Sequence, residues 1–263
     1  MLDQVRLYGG GLAPLPGTNR EAEHIAEVLA SAGGSATMLL GEQATIGRLE
    51  AAVEGRRYVH LATHGLTGSV DRPYDAGLAL ALPSTATPDD IGFLTLEHLI
   101  GSWRGKLSDC DLVVLSACDT QRGVKAGGSV MALPWGFFYA GAPTVIASLW
   151  KVDDTATSLL MGRLYENLLG AFDAPRTFGS GGRNYAGGES MTKADALREA
   201  KNWLRTLTAP ERDQLVATLP RGQRGELRPR PSREQDPSAA TEQLHPYAHP
   251  YFWSAFILIG SPE

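Results

Sequence analysis

The chain has 263 residues, 43% hydrophobic and 20% charged, enough apolar material for a sizeable core under an ordinary globular surface. A formal charge of −5 without a basic stripe argues against nucleic-acid binding, since Arg221, Arg224, Arg228, Arg230 and Arg233 are interleaved with Pro and Gly and read as a solvated loop. No apolar run approaches the roughly 20 residues that span a bilayer, so no membrane partner is expected.

Met1–Leu2–Asp3–Gln4–Val5–Arg6 lacks the basic and apolar regions of a signal peptide. Two cysteines make no disulfide framework. A reducing cytoplasm, where a free thiol stays usable, is the expected location.

Strand-like and helix-like segments alternate along the chain, the α/β pattern of a parallel sheet covered by helices. Val5–Tyr8 reads as a short strand. Thr18 to Glu21 has capping-box spacing and opens a helix whose Ile25, Val28, Leu29 and Ala32 share one face, ended by Gly33–Gly34. Thr37–Leu40 is the next strand candidate and Ile46–Val53 the next amphipathic helix. An apolar strand over Tyr58–Thr63 ends in His64–Gly65, and Leu78–Leu82 reads as a small accessory strand. The run Leu112–Leu115 leads through Ser116–Ala117 to Cys118.

Val130–Tyr139 reads as a mostly apolar, buried helix that Pro134 distorts or places in its first turn. Thr144–Trp150 is a β-branched strand. Thr155–Leu169 and Met191–Leu207 are helices, the first with Asp153 and Asp154 at its positive N-terminal end. Phe252–Ile259 supplies a last strand. The stretches 172–188 and 210–246 lack apolar periodicity and read as flexible insertions in a single domain spanning 1–263.

The chemistry gathers at two strand ends. In open α/β sheets ligands collect outside the carboxyl ends of the strands, so Cys118 and His64 are expected to face one crevice. A thiol and an imidazole delivered there suggest a cysteine nucleophile with a histidine base. A free cysteine, with a pKa of about 8.5, is mostly protonated near neutrality, and a neighbouring imidazole supplies the missing activation. Gly65 permits close approach of backbone to substrate, so the Gly65 and Cys118 amides are candidate oxyanion donors. His60, four residues earlier on the same strand face, reads as structural, and Cys110 as a core thiol.

Two rivals fail on spacing. A phosphatase loop needs Arg where Gly123 stands, with Arg122 one position short. The His60/His64 and His245/His249 pairs lack the glutamate of a zincin helix, so no metal or other cofactor is expected.

Three blocks, Ala62–Thr63–His64–Gly65, Leu115–Ser116–Ala117–Cys118–Asp119–Thr120 and Ala147 to Asp154, resemble the signatures of CHAT domains, the caspase- and separase-related cysteine peptidases of clan CD. Leu15–Pro16–Gly17–Thr18, Gly41–Glu42 and Tyr251–Phe252–Trp253 agree. The resemblance implies a caspase-like three-layer sandwich, with a mostly parallel six-stranded sheet and helices on both faces. It implies a His64–Cys118 dyad and Gly65 and Cys118 amides as the oxyanion hole. Ser148 and Trp150 fall on the strand that lines substrate subsites, and Ser116 borders the same pocket.

Asp153 or Asp154 matches the acidic position that meets a basic side chain, implying cleavage of protein substrates after Arg or Lys. A plain helix cap is the competing role for both. Ala126–Gly127–Gly128–Ser129 departs from the Gly-Glu-Gly segment common in the family. The resemblance further implies an activating partner or an upstream repeat domain, in a bacterial regulatory or defence pathway. A catalytically silent interaction scaffold is the alternative.

Overall fold

The structure, a computed structural model, describes residues 15–66, 76–85, 92–117, 132–150, 153–177, 183–219 and 244–263. Cys118 and the expected strand Val5–Tyr8 lie outside the described residues. In chain order the elements are α1 (Pro16–Ser31), α2 (Ile46–Val53), β1 (Tyr58–Thr63), β2 (Gly65–Leu66), β3 (Gly77–Ala79), β4 (Phe93–Thr95), α3 (Leu96–Gly101), β5 (Leu112–Ala117) and α4 (Ala132–Tyr139). There follow β6 (Thr144–Ser148), α5 (Asp154–Leu169), β7 (Arg176–Thr177), β8 (Asn184–Tyr185), α6 (Lys193–Thr206), α7 (Ala209–Thr218), α8 (Pro250–Trp253) and β9 (Phe256–Gly260). They fall into two compact units, one built on Thr37–Lys151 with Phe256–Ser261, the other on Pro16–Ala36 with Val152–Ala255.

The first unit holds a four-stranded, mostly parallel sheet in the order β1-β5-β6-β9. β1 and β5 run parallel from Tyr58↔Leu112 to Thr63↔Ala117, β6 continues the parallel set, and β9 closes it antiparallel. Every residue of β5 and β6 is buried, which is why both read as unbroken apolar runs rather than alternating ones. Alternation sends Val59, Leu61, Val113, Leu115, Ala117, Val145 and Ala147 into one cluster with Leu49 and Val53 of α2, Leu99 of α3 and Phe137 of α4. Trp103 meets Phe137 edge to face within it. Thr45 and Thr95 cap α2 and α3, accepting from the Arg48 and His98 amides. A second, three-stranded sheet, β2-β3-β4, contains the start of the expected accessory strand as β3, which ends at Ala79 rather than Leu82.

In the second unit α5 packs between α1 and α6 and is buried along most of its length. Gly170 ends it in the left-handed conformation, φ 68°, with the Ala171 amide returning to the Glu166 carbonyl. A charged cluster ties α5 to α6: Arg163 forms a bidentate pair with Glu199 at 2.6 and 3.0 Å, and Asn167 donates to Glu199 and to the Ala196 carbonyl. Arg176 of β7 joins it through Asn167 and Glu166.

Several expectations need correction. The described sheet has four strands rather than six. Thr37–Leu40 forms no ladder with a described strand: Leu39, half-buried, packs on the core while Met38 is exposed. The last strand starts at Phe256, since Pro250 opens a short helix that His249 caps. Helix α4 has Pro134 in its first turn as expected, yet it is not wholly buried, with Trp135 65% exposed and Tyr139 under the Arg104 guanidinium.

The stretch 172–188 carries a β7–β8 hairpin with Phe172 and Tyr185 buried, held by single non-local contacts that no periodicity reveals. Part of 210–246 is helical: α7 opens on Thr208, whose amide and hydroxyl both donate to the Glu211 carboxylate. Residues 220–243 lie outside the described residues.

Candidate active site

The β1–β5 register brings the two chemistry-bearing strands side by side. Its last pair, Thr63↔Ala117, stands immediately before His64 and Cys118 in the sequence. Neighbouring strands lie about 4.8 Å apart, so Thr63 and Ala117 end β1 and β5 side by side. Cys118 itself lies outside the described residues.

His64 leaves β1 at a fixed angle. Its carbonyl accepts the Ala79 amide at 2.8 Å, and the Thr63 hydroxyl donates to the Ala79 carbonyl at 2.6 Å. Both backbone groups of Ala79, on β3, are therefore held by consecutive residues at the end of β1. Gly65 then opens β2 opposite Leu78, and it is buried. Because the His64 carbonyl bonds across to Ala79, Gly65 occupies the alternate, outward-facing position of this antiparallel ladder. Its N–H points away from β3.

At the adjoining strand end, Ser148 of β6 is 4% exposed and donates to the Ala117 carbonyl at 3.2 Å. That bond braces the residue from which the chain proceeds to Cys118. Ser116 is buried opposite Ala62, and Trp150, beyond β6, is half-buried. His60 sits opposite Val114, inside the ladder rather than at its end.

In the second unit Asp153 caps α5, accepting the Ala156 amide at 2.9 Å, while Asp154 is exposed in its first turn. Gly17 packs so closely on Asp154 that a Cβ there would come within 2.5 Å of the aspartate Cβ. Any larger residue would displace the carboxylate. Burial first, and the Asp153 charge second, push the Tyr247 phenol well above its ordinary pKa. A cleft of about 330 Å³ in this unit, lined by His24, Arg163, Trp203 and Glu211 among others, includes no residue nominated from the sequence. Among the described residues no group of three His, Cys, Asp or Glu side chains is placed to hold a metal, and His249 uses its Nδ1 to cap α8.

Sequence reasoning passed over Thr63, Ala79 and Gly17. Thr63 and Gly17 lay inside quoted motifs, so their positions were visible. Their partners, sixteen residues away for Ala79 and far along the chain for Asp154, were not.

No helix among the described residues is long and apolar enough to cross a membrane. Among curated proteins no match is found. The CHAT domain family model matches residues 3–261, nearly the whole chain. With that coverage over a mixed α/β fold and a mostly parallel sheet, the chain belongs to the CHAT domain family, a caspase-like, protease-related family.

Proposed function

We propose that the chain is a cysteine endopeptidase whose His64–Cys118 dyad hydrolyses peptide bonds. The observation that carries this reading is the parallel register ending at Thr63↔Ala117, with His64 and Cys118 the next residues in the sequence. His64 takes the Cys118 thiol proton, and the thiolate attacks the scissile carbonyl carbon. The negative charge moves to the carbonyl oxygen, opposite the Gly65 and Cys118 amides. Collapse breaks the C–N bond, His64 returns its proton to the leaving amine, and a thioester remains. Water, deprotonated by His64, then attacks the thioester and releases the acid and the thiol.

Ser116, Ser148 and Trp150 belong to the substrate side of this reading, with Ser148 bracing Ala117 rather than offering its proton to a ligand. Recognition of Arg or Lys falls to Asp153 or Asp154, the acidic pair at the start of α5. The chemistry calls for no metal or organic cofactor. Control by a protein partner or an upstream repeat domain, in the cytoplasm, completes the proposal.

The test is hydrolysis of fluorogenic peptides ending in Arg or Lys by wild type and by Cys118→Ala. Signal from wild type alone supports the peptidase. Equal signals from both would remove it in favour of the interaction scaffold.

A further inference from the structure

The peptide unit between His64 and Gly65 carries two groups of opposite use. Its carbonyl is accepted into the small sheet by the Ala79 amide at 2.8 Å. Its N–H is the Gly65 donor that the peptidase reading aims at the developing oxyanion. A trans peptide is planar, with C=O and N–H antiparallel, and the described chain has no cis bond. Fixing the carbonyl toward β3 therefore fixes the donor in the opposite direction. Gly65, without a Cβ, adds no steric resistance to rotation of that plane, so the hydrogen bond to Ala79 decides it.

Ala79 is itself held. The Thr63 hydroxyl, part-buried at the end of β1, donates to the Ala79 carbonyl at 2.6 Å, short for a neutral pair. Thr63, His64 and Ala79 thus form a closed hydrogen-bonded loop in which one side-chain proton secures a peptide two bonds away. Thr63 belongs to the β1 face that carries Val59 and Leu61. A Val would satisfy that face equally well, and the hydroxyl is the part that packing does not explain. β-Branching leaves Thr63 few χ1 rotamers, so its donor is pre-aimed.

We propose that Thr63 is a positioning residue: its hydroxyl, through Ala79, locks the His64–Gly65 peptide so that the Gly65 amide is preset as an oxyanion donor. The inference rests on the peptidase reading above and adds to it the device that presets the oxyanion hole. It assigns Thr63 no contact with substrate and no proton to transfer. Losing one oxyanion donor outright lowers turnover by roughly 10²–10³. Unlocking a donor that can still reach its position costs less, and about 10–100-fold in kcat is expected, with KM unchanged.

The experiment compares wild type, Thr63→Val and Thr63→Ser in three measurements: peptide hydrolysis, alkylation of Cys118 by iodoacetamide, and backbone amide exchange read by NMR at Gly65 and Ala79. Alkylation needs the thiolate and its histidine but no oxyanion hole. The proposal predicts that Thr63→Val lowers kcat alone, keeps the wild-type alkylation rate and loses protection at the Ala79 amide, while Thr63→Ser restores all three. Wild-type kcat in Thr63→Val, unchanged Ala79 protection, or alkylation falling in step with hydrolysis would each overturn it. Wild type that alkylates at Cys118 but hydrolyses no peptide would instead defeat the peptidase reading. Ala79 and Gly65 exchange would then still decide whether Thr63 sets the peptide plane.

Discussion

At the carboxyl ends of β1 and β6, Thr63 and Ser148 each lay a neutral hydroxyl on a neighbouring backbone carbonyl. Along α5 the polar groups are instead charged and multiply joined: Arg163, Arg176, Glu166, Glu199 and the fully buried Asn167 share hydrogen bonds across two helices and a hairpin. A neutral hydrogen bond contributes about 1 kcal/mol net, so the strand ends can lose one without unfolding. A buried charge stripped of its partner costs about 3–5 kcal/mol. One region therefore sets geometry at little cost to stability, and the other sets stability and leaves geometry little freedom.

Four substitutions sharpen that contrast. His64→Ala removes the proposed general base and is expected to lower peptide turnover by roughly 10²–10⁴ while the unfolding midpoint stays close to wild type. Near-wild-type kcat would contradict the assignment. Glu199→Leu strips Arg163 and Asn167 of their shared carboxylate, and urea denaturation should show a loss of about 3–5 kcal/mol. A change under 1 kcal/mol would mean that water replaces the carboxylate and that the cluster is not the stabilising region. Asp153→Ala removes the α5 cap and should cost about 1 kcal/mol, read in the same titration.

The smallest effect concerns pH. Burial holds the Lys201 ammonium below its ordinary pKa of 10.5, so the folded state releases that proton before the unfolded state does. Between the lowered value and 10.5 the unfolded chain binds more protons, and stability therefore rises with pH across that window. Lys201→Met should flatten this rise in alkaline denaturation series and raise stability at neutral pH. An unchanged slope would show that the amine reaches solvent.

The strands that carry the candidate site were legible in the sequence. The apolar runs before His64 and Cys118 marked β1 and β5 correctly, and the motif blocks named the family that the chain matches across residues 3–261. Thr155–Leu169 and Met191–Leu207 were recognisable as α5 and α6 from their spacing. The failures have a common cause. Thr37–Leu40 has the composition of a strand, yet it pairs with no described strand, and composition alone does not report pairing.

The β7–β8 hairpin was hidden because Arg176 reads as solvated until Asn167 and Glu166 are brought to it by the fold. Trp135 looked buried because an apolar helix shows no polar face to mark the exposed side. Asp153 carried two readings, pocket and cap, and the cap is the one that a local hydrogen bond fulfils.

The proposed dyad requires His64 to act on the Cys118 sulfur. The direct measurement is the pH dependence of Cys118 alkylation by iodoacetamide, wild type against His64→Ala, with Cys118 followed by peptide mass spectrometry to separate it from buried Cys110. Wild type should alkylate with an apparent thiol pKa below the free value of about 8.5, and His64→Ala should return it toward that value. Superimposable profiles from the two proteins would contradict the dyad.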